Sequence, residues 1–91
     1  MQYSVYILRC VDDTLYTGIT NDLPRRLLDH QSGKGGKYTR AHPGLAMVYH
    51  EMAGKRGSAL RREAAIKKMT RREKLLLIAA SVDVSSKHLL T

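Results

Sequence analysis

Five side chains of the 91-residue chain could do chemistry together if the fold brought them to one place: Tyr6, Tyr16, Arg26, His30 and Glu63. An arginine can hold phosphoryl oxygens, a carboxylate can fix a divalent ion, and tyrosine or histidine can accept a proton or orient a reacting group. Three of the five lie where apolar residues belong. In LYTGITNDLPRRLLDH, Leu15 to His30, a strand-like start gives way to a helix. With about 100° per residue and Leu23 as origin, Leu27 falls at about 40°, His30 at about −20° and Arg26 at about −60°, all on one side. Leu28 falls at about 140°, and Arg25 near 200° should face water. In SALRREAAIKKM, with Leu60 as origin, Ala64 lies at about 40°, Ala59 at about −100°, Ile66 at about −120° and Glu63 at about −60°, so Glu63 has apolar neighbours on its own face.

A charged group is costly to bury alone, so an inward Arg and an inward Glu each need a counter-charge, a metal or a cleft. Arg26 and Glu63 could bond to each other, or Glu63 could pair with Lys67 one turn on. His30, taken singly, reads as a hydrogen-bonded core histidine, and either tyrosine as a half-buried strand residue. The tyrosines share a face of a hairpin if its loop has an odd number of residues, such as Val11 to Asp13, which sets Tyr6 opposite Gly18 and leaves room beside its ring. A two-residue Asp12-Asp13 turn would put them on opposite faces.

The elements that must position these residues follow from pattern. Tyr3 to Cys10 and Leu15 to Thr20 are rich in aromatic and β-branched residues and flank a turn-prone Asp pair, which predicts a hairpin. Asn21 or Asp22 caps a helix over Leu23 to Ser32, with Pro24 tolerated in its first turn and Gly33 ending it. SGKGGKYTRAHPG reads as a basic, glycine-rich loop, and Leu45 to Met52 as a third strand. A second helix is expected from Ser58 to Met69. Thr70 and Glu73 form a capping box for a third helix reaching about Ala80. The expected class is α+β, a small antiparallel three-stranded sheet with about three helices in the order β-β-α-β-α-α. Residues 1–80 form the domain and 81–91 a weakly determined tail.

Size and composition narrow the function classes. A chain of this length supports one modest core, burying about 60 to 65% of its unfolded surface. The charge of +8 arises from 16 basic and 8 acidic residues, and 14 of the basic ones fall between Arg25 and Lys74, a bias that suits a polyanion such as nucleic acid. Cys10 is the single cysteine, which excludes an internal disulfide and a cysteine-rich zinc site. With no apolar run near the ~20 residues of a membrane span and no signal-peptide pattern, the expected location is cytoplasmic, without a membrane partner.

In this order and spacing the residues resemble the GIY-YIG nuclease superfamily. SVYIL stands at its GIY element and LYTGIT at its YIG element. Arg26 follows Gly18 at the spacing of the helix arginine, His30 comes one turn later, and Glu63 stands as the helix glutamate. The resemblance spans about Gln2 to Ala80 and is nearest the small, stand-alone branch, similar to the nuclease domain of the subunit that cuts branched DNA. An asparagine that some relatives carry after the glutamate has no counterpart in this sequence, and no stretch of it reads as the DNA-targeting domain that many append.

The resemblance implies a metal-dependent endonuclease that hydrolyses DNA phosphodiesters, with branched, flapped or damaged DNA as candidate substrates and no strong sequence specificity. It implies Tyr6, Tyr16, Arg26, His30 and Glu63 as the catalytic set: Tyr6 takes a proton from the attacking water, Tyr16 and His30 orient groups, Arg26 holds non-bridging oxygens, and Glu63 binds one Mg²⁺ or Mn²⁺ largely surrounded by water and substrate oxygen. No small-molecule cofactor is expected. Lys34, Lys37, Arg40, Arg61, Lys67 and Lys68 are the expected contacts to DNA backbone phosphates, with Tyr38 and His42 nearby, and about five such contacts would give a log-log salt slope of roughly −4 to −5. A larger protein could supply targeting. The rival class is a non-catalytic nucleic-acid-binding module or adaptor that keeps the fold.

Overall fold

The structure, a computed structural model, describes residues 1–32 and 44–90, without the side chains of 44, 45 and 82–90. Its elements are β1 (Tyr3–Cys10), β2 (Leu15–Thr20), α1 (Leu23–Gln31), β3 (Gly44–Gly54), α2 (Arg56–Lys67) and α3 (Arg71–Leu90). The strands form one antiparallel sheet in the order β2-β1-β3. This is the expected α+β architecture and element order.

β1 is central and buried on both faces, which is why Val5, Tyr6, Ile7 and Leu8 lose all contact with solvent. Alternation sends Val5 and Ile7 to one side, where they join Ala59 and Ile66 in the core, with Leu77 and Ile78 packed against it. Tyr6 points the other way, towards α1 and the fully buried His30.

The hairpin loop is the odd one. Cys10 N donates to Thr14 O at 2.9 Å and Asp13 N to Cys10 O at 2.9 Å, closing a three-residue loop over Val11 to Asp13. Asp13 supplies the left-handed residue at φ 66, a conformation that Asp tolerates better than most residues. The register follows: Tyr6 faces Gly18, and Tyr16 falls on the same side of the sheet. Arg71, in the first turn of α3, donates to Asp13 O at 2.9 Å and Oδ2 at 3.0 Å, tying that helix to the turn.

The helix caps explain most boundaries. Asp22 Oδ1 accepts from Arg25 N at 3.2 Å and starts α1, with Pro24 in the first turn. The Thr70–Glu73 capping box forms reciprocally, at 2.8 and 3.1 Å. α2 begins two residues before the expected Ser58, where Gly54, at φ 79, turns the chain out of β3, and it ends at Lys67, before the expected Met69. α3 continues to Leu90 where the sequence reading stopped it near Ala80, and no glycine or proline stands in that stretch to break it. The predicted loop from Gly33 lies largely outside the described residues.

Candidate active site

Three elements meet at the hydroxyl of Tyr6. Arg26 Nε on α1 donates to it at 3.2 Å, and His30 Nε2, one turn further along α1, lies 2.8 Å from it. Tyr16, on β2, sets its ring against His30 edge-on at 5.2 Å between centroids, with the Tyr6 ring 6.3 Å away. The helix phase read from sequence is therefore correct for α1: His30 is buried, Arg26 is half-buried, and Arg25 and Leu28 face solvent.

Gly18 makes the arrangement possible. A Cβ at that position would stand 2.6 Å from Tyr6 Oη, 2.8 Å from its Cζ and 3.1 Å from Tyr16 Cε2. The Tyr6 ring cannot swing aside, because its hydroxyl is held by two partners inside a closed interior.

Arg26 has two surroundings. Its Nε side reaches the buried phenol, while its side chain, 32% exposed, also lines an open cleft of about 270 Å³ with Thr20, Asn21, Asp22, Arg25 and Asp29. Asp29 Oδ2 stands 4.0 Å from Arg26 Nη1. The cleft provides the solvent access that a bound phosphate requires.

Electrostatics distinguish the members. Burial pushes the Tyr6 phenol above its ordinary value; the Arg26 hydrogen bond pulls it down, and the Tyr16 and Glu63 charges push it up. The hydrogen bond to Tyr6 is the main reason that the Arg26 guanidinium is held still more firmly protonated. Burial, assisted by the Arg26 charge, lowers His30 below its ordinary value, so the imidazole is neutral near pH 7. Its Nδ1 is buried and has no hydrogen-bond partner among the described residues.

Glu63 is inward, with its side chain 19% exposed. α2 sits on the sheet through Ala59 and Ile66, while Leu60 and Ala64, also apolar, are on the exposed side. Glu63 lies between Ala59 and Ile66 on the seated side. It pairs with Lys67 Nζ at 3.7 Å, the rim pairing that the sequence allowed, and its charge reaches Tyr6. A single carboxylate with the remaining positions left to water and phosphate oxygens fits Mg²⁺ or Mn²⁺; among the described residues no cluster of three or more His, Cys, Asp or Glu competes as a site.

Of the expected DNA contacts, Arg61, Lys67 and Lys68 are exposed along α2 and its end. Lys34, Lys37 and Arg40, with Tyr38 and His42, lie outside the described residues. Sequence reasoning missed a network that joins α2 to the sheet on the face opposite Tyr6. Tyr49 Oη donates to Glu51 Oε1 at 2.8 Å, and Arg62 Nε to the same oxygen at 2.9 Å. The one available signal was that seating α2 on Ala59 and Ile66 turns Arg62 towards the sheet beside Glu63.

Comparison with known proteins identifies the family of the chain. Residues 2–75 match the GIY-YIG catalytic domain, and the chain belongs to that family. It is 44% identical over 81 residues to a UPF0213 protein of Cronobacter sakazakii, covering 89% of this chain and 85% of that one. A UPF0213 protein of Bacillus pumilus is 47% identical over 73 residues, with 80% and 74% covered. The solution NMR structure of the UPF0213 protein BH0048 from Bacillus halodurans superposes with a TM-score of 0.57 at 40% identity, covering 88% of this chain and 85% of that one. That of EF2693 from E. faecalis gives 0.55 at 36%, with 98% and 88% covered. Among the described residues no helix is long and apolar enough to cross a membrane.

Two outcomes follow. Gly18→Ala should destabilise the protein by about 1 to 3 kcal/mol in denaturant titration, since both tyrosines must shift. The second concerns His30, whose lowered pKa means that below about pH 6.5 the unfolded chain binds a proton that the folded one resists. Its contribution is present above that pH and lost as pH falls. Thermal midpoints measured from pH 8 to 5 should show that loss, and His30→Gln should remove that part of the slope.

Proposed function

We propose that the chain is a divalent-metal-dependent endonuclease acting on DNA phosphodiesters, with branched, flapped or damaged DNA as its substrate class and backbone contacts supplying most of the affinity. The observation that carries this reading is Arg26, which lines an open cleft with its guanidinium while donating to a buried phenol that also feels the Glu63 carboxylate. Simple phosphate binding would need neither the inward carboxylate nor the buried phenol.

In this reading Arg26 holds the non-bridging oxygens of a phosphate in the cleft and stabilises the charge added during attack. Glu63 would hold the metal, which when bound supplies a Lewis acid, steadies the leaving oxygen and reverses the sign of the charge that Tyr6 feels from that direction. Tyr6 acts as the base once Arg26, which bonds its hydroxyl and lines the cleft, turns to the phosphate and lets the attacking water reach the otherwise closed-off phenol. Ionising an ordinary phenol at pH 7 costs about 4 kcal/mol, so the phenol needs help. Arg26 stabilises the phenolate, and a neutral His30 with its proton on Nδ1 presents Nε2 as the acceptor for the Tyr6 proton. Tyr16 braces the His30 ring. Arg61, Lys67 and Lys68, with Lys34, Lys37 and Arg40, contact flanking phosphates, and a larger protein supplies targeting where a particular DNA structure must be found.

The test compares purified wild type with Glu63→Gln on labelled duplex, single-stranded, flap and junction DNA, with Mg²⁺, Mn²⁺ or chelator. The variant should lose at least about 10²-fold in cleavage rate and bind DNA as well or better. Equal cutting by both proteins would trace the activity to a contaminant. Absence of cutting by wild type on every substrate would favour the non-catalytic binding module. A companion pair separates neighbours: Arg26→Ala should cost about 10²-fold or more in single-turnover rate, and Arg25→Ala less than about threefold.

A further inference from the structure

Two apolar anchors on nearly one line of the helix seat α2 on the core and leave small turns about its axis to be set by other contacts. Its fully buried side chains are Ala59 and Ile66, and the N-cap residue Lys55 makes no side-chain capping bond. Glu63 stands between those two anchors, so the direction of its carboxylate depends on how the helix is turned about its own axis. The Lys67 pairing cannot set that turn, because both partners ride on the same helix.

What crosses from α2 to the sheet is Arg62. Its Nε and the Tyr49 hydroxyl both donate to one oxygen of Glu51, at 2.9 and 2.8 Å, and the Arg62 and Glu51 side chains are only 37% and 27% exposed. Tyr49 and Glu51, two apart on β3, share a face, which fixes the acceptor to the sheet. Glu51 is also the register partner of Val5, the β1 residue next to Tyr6. The bond therefore refers the rotation of α2 to the strand that carries Tyr6.

We infer that Arg62 is a positioning residue for Glu63, clamped through Glu51 and Tyr49 so that the carboxylate is held at the site; this rests on the nuclease reading for its catalytic consequence. A helix with side chains is about 10 to 12 Å across, so a 20° turn moves a side-chain tip by about 2 Å. A displacement of about 1 Å can cost 10²-fold in rate. The clamp would thus matter to catalysis more than a half-exposed ion pair matters to stability.

The experiment uses the full chain with Glu51→Gln, Arg62→Gln, Arg62→Lys, the exchange Glu51→Arg with Arg62→Glu, and Thr70→Ala as a control that loosens a helix cap away from the clamp. Two-dimensional ¹H–¹³C NMR follows the Glu63 γ-methylene, and single-turnover cleavage is measured where every variant is folded. Glu51→Gln and Arg62→Gln should both move the Glu63 signals and slow cleavage by about tenfold, and Glu51→Gln should leave DNA affinity in chelator unreduced. The exchange should restore part of the rate and Arg62→Lys less, since lysine lacks the planar fork. Thr70→Ala should change neither readout. Unmoved Glu63 signals in Glu51→Gln, or a rate loss in Thr70→Ala matching its loss of stability, would overturn the assignment. If wild type cuts nothing, the nuclease reading fails by itself and the NMR shifts alone decide whether Arg62 orients Glu63.

Discussion

A phenolic oxygen with no access to solvent has to satisfy its hydrogen bonds inside the protein, and most of this fold can be understood as meeting that requirement at Tyr6. Its partners, Arg26 and His30, come from successive turns of α1, so the helix must lie across the sheet with one phase only. The ring must lie flat over β2, which excludes any side chain at position 18. Tyr16 shares the face because the hairpin loop has three residues, and that loop depends on Asp13 adopting a left-handed conformation secured by Arg71. A change in any one of these would leave a buried donor or acceptor unpaired, at about 1 to 3 kcal/mol.

The same requirement explains how a charged arginine is accommodated. Arg26 is not drawn fully inside: one edge of the guanidinium is spent on Tyr6 and the rest remains at the cleft, near Asp29 and water. It therefore avoids most of the desolvation cost of a buried ion while still imposing its charge on two buried rings. That charge acts in the same sense on both neighbours, favouring loss of the proton from Tyr6 and resisting its gain by His30. The balance between those two effects governs where the Tyr6 proton rests.

How far the sequence discloses this depends on how one-sided each element is. On α1 the apolar residues Leu23 and Leu27 define one arc, so the intrusion of Arg26 and His30 was visible without coordinates. On α2, Ala59, Leu60, Ala64, Ala65 and Ile66 surround much of the axis, so the apolar pattern alone does not single out Ala59 and Ile66 as the seat. Glu63 still reads as inward because apolar residues lie on either side of it about the axis, Leu60 on one and Ala59 on the other. The hairpin parity was undecidable from Asp12-Asp13 alone, since either residue tolerates the turn; the contact that settles it comes from Arg71, 58 residues away. The Tyr49–Glu51–Arg62 network was hidden for the same reason, as polar residues on β3 and α2 reveal a partnership only when a sheet and a helix are placed against each other.

The Glu63–Lys67 pair bears on whether the inward carboxylate is available for chemistry or already neutralised. At 3.7 Å, between residues one turn apart, and with the lysine side chain 54% exposed, the pairing is of the kind that contributes about 0.5 kcal/mol or less. A lysine with a hydrated head on a flexible stem gives up such a contact readily to a phosphate or to solvent. The carboxylate therefore meets its counter-charge mostly in water, at a position where its own charge still acts on Tyr6. Had Glu63 been the partner of a buried arginine, its local charge would have been cancelled and its effect on the phenol lost. A weak, exposed partner keeps the anion part-buried yet uncommitted, which is the electrostatic condition that a site drawing in both a cation and a phosphate requires.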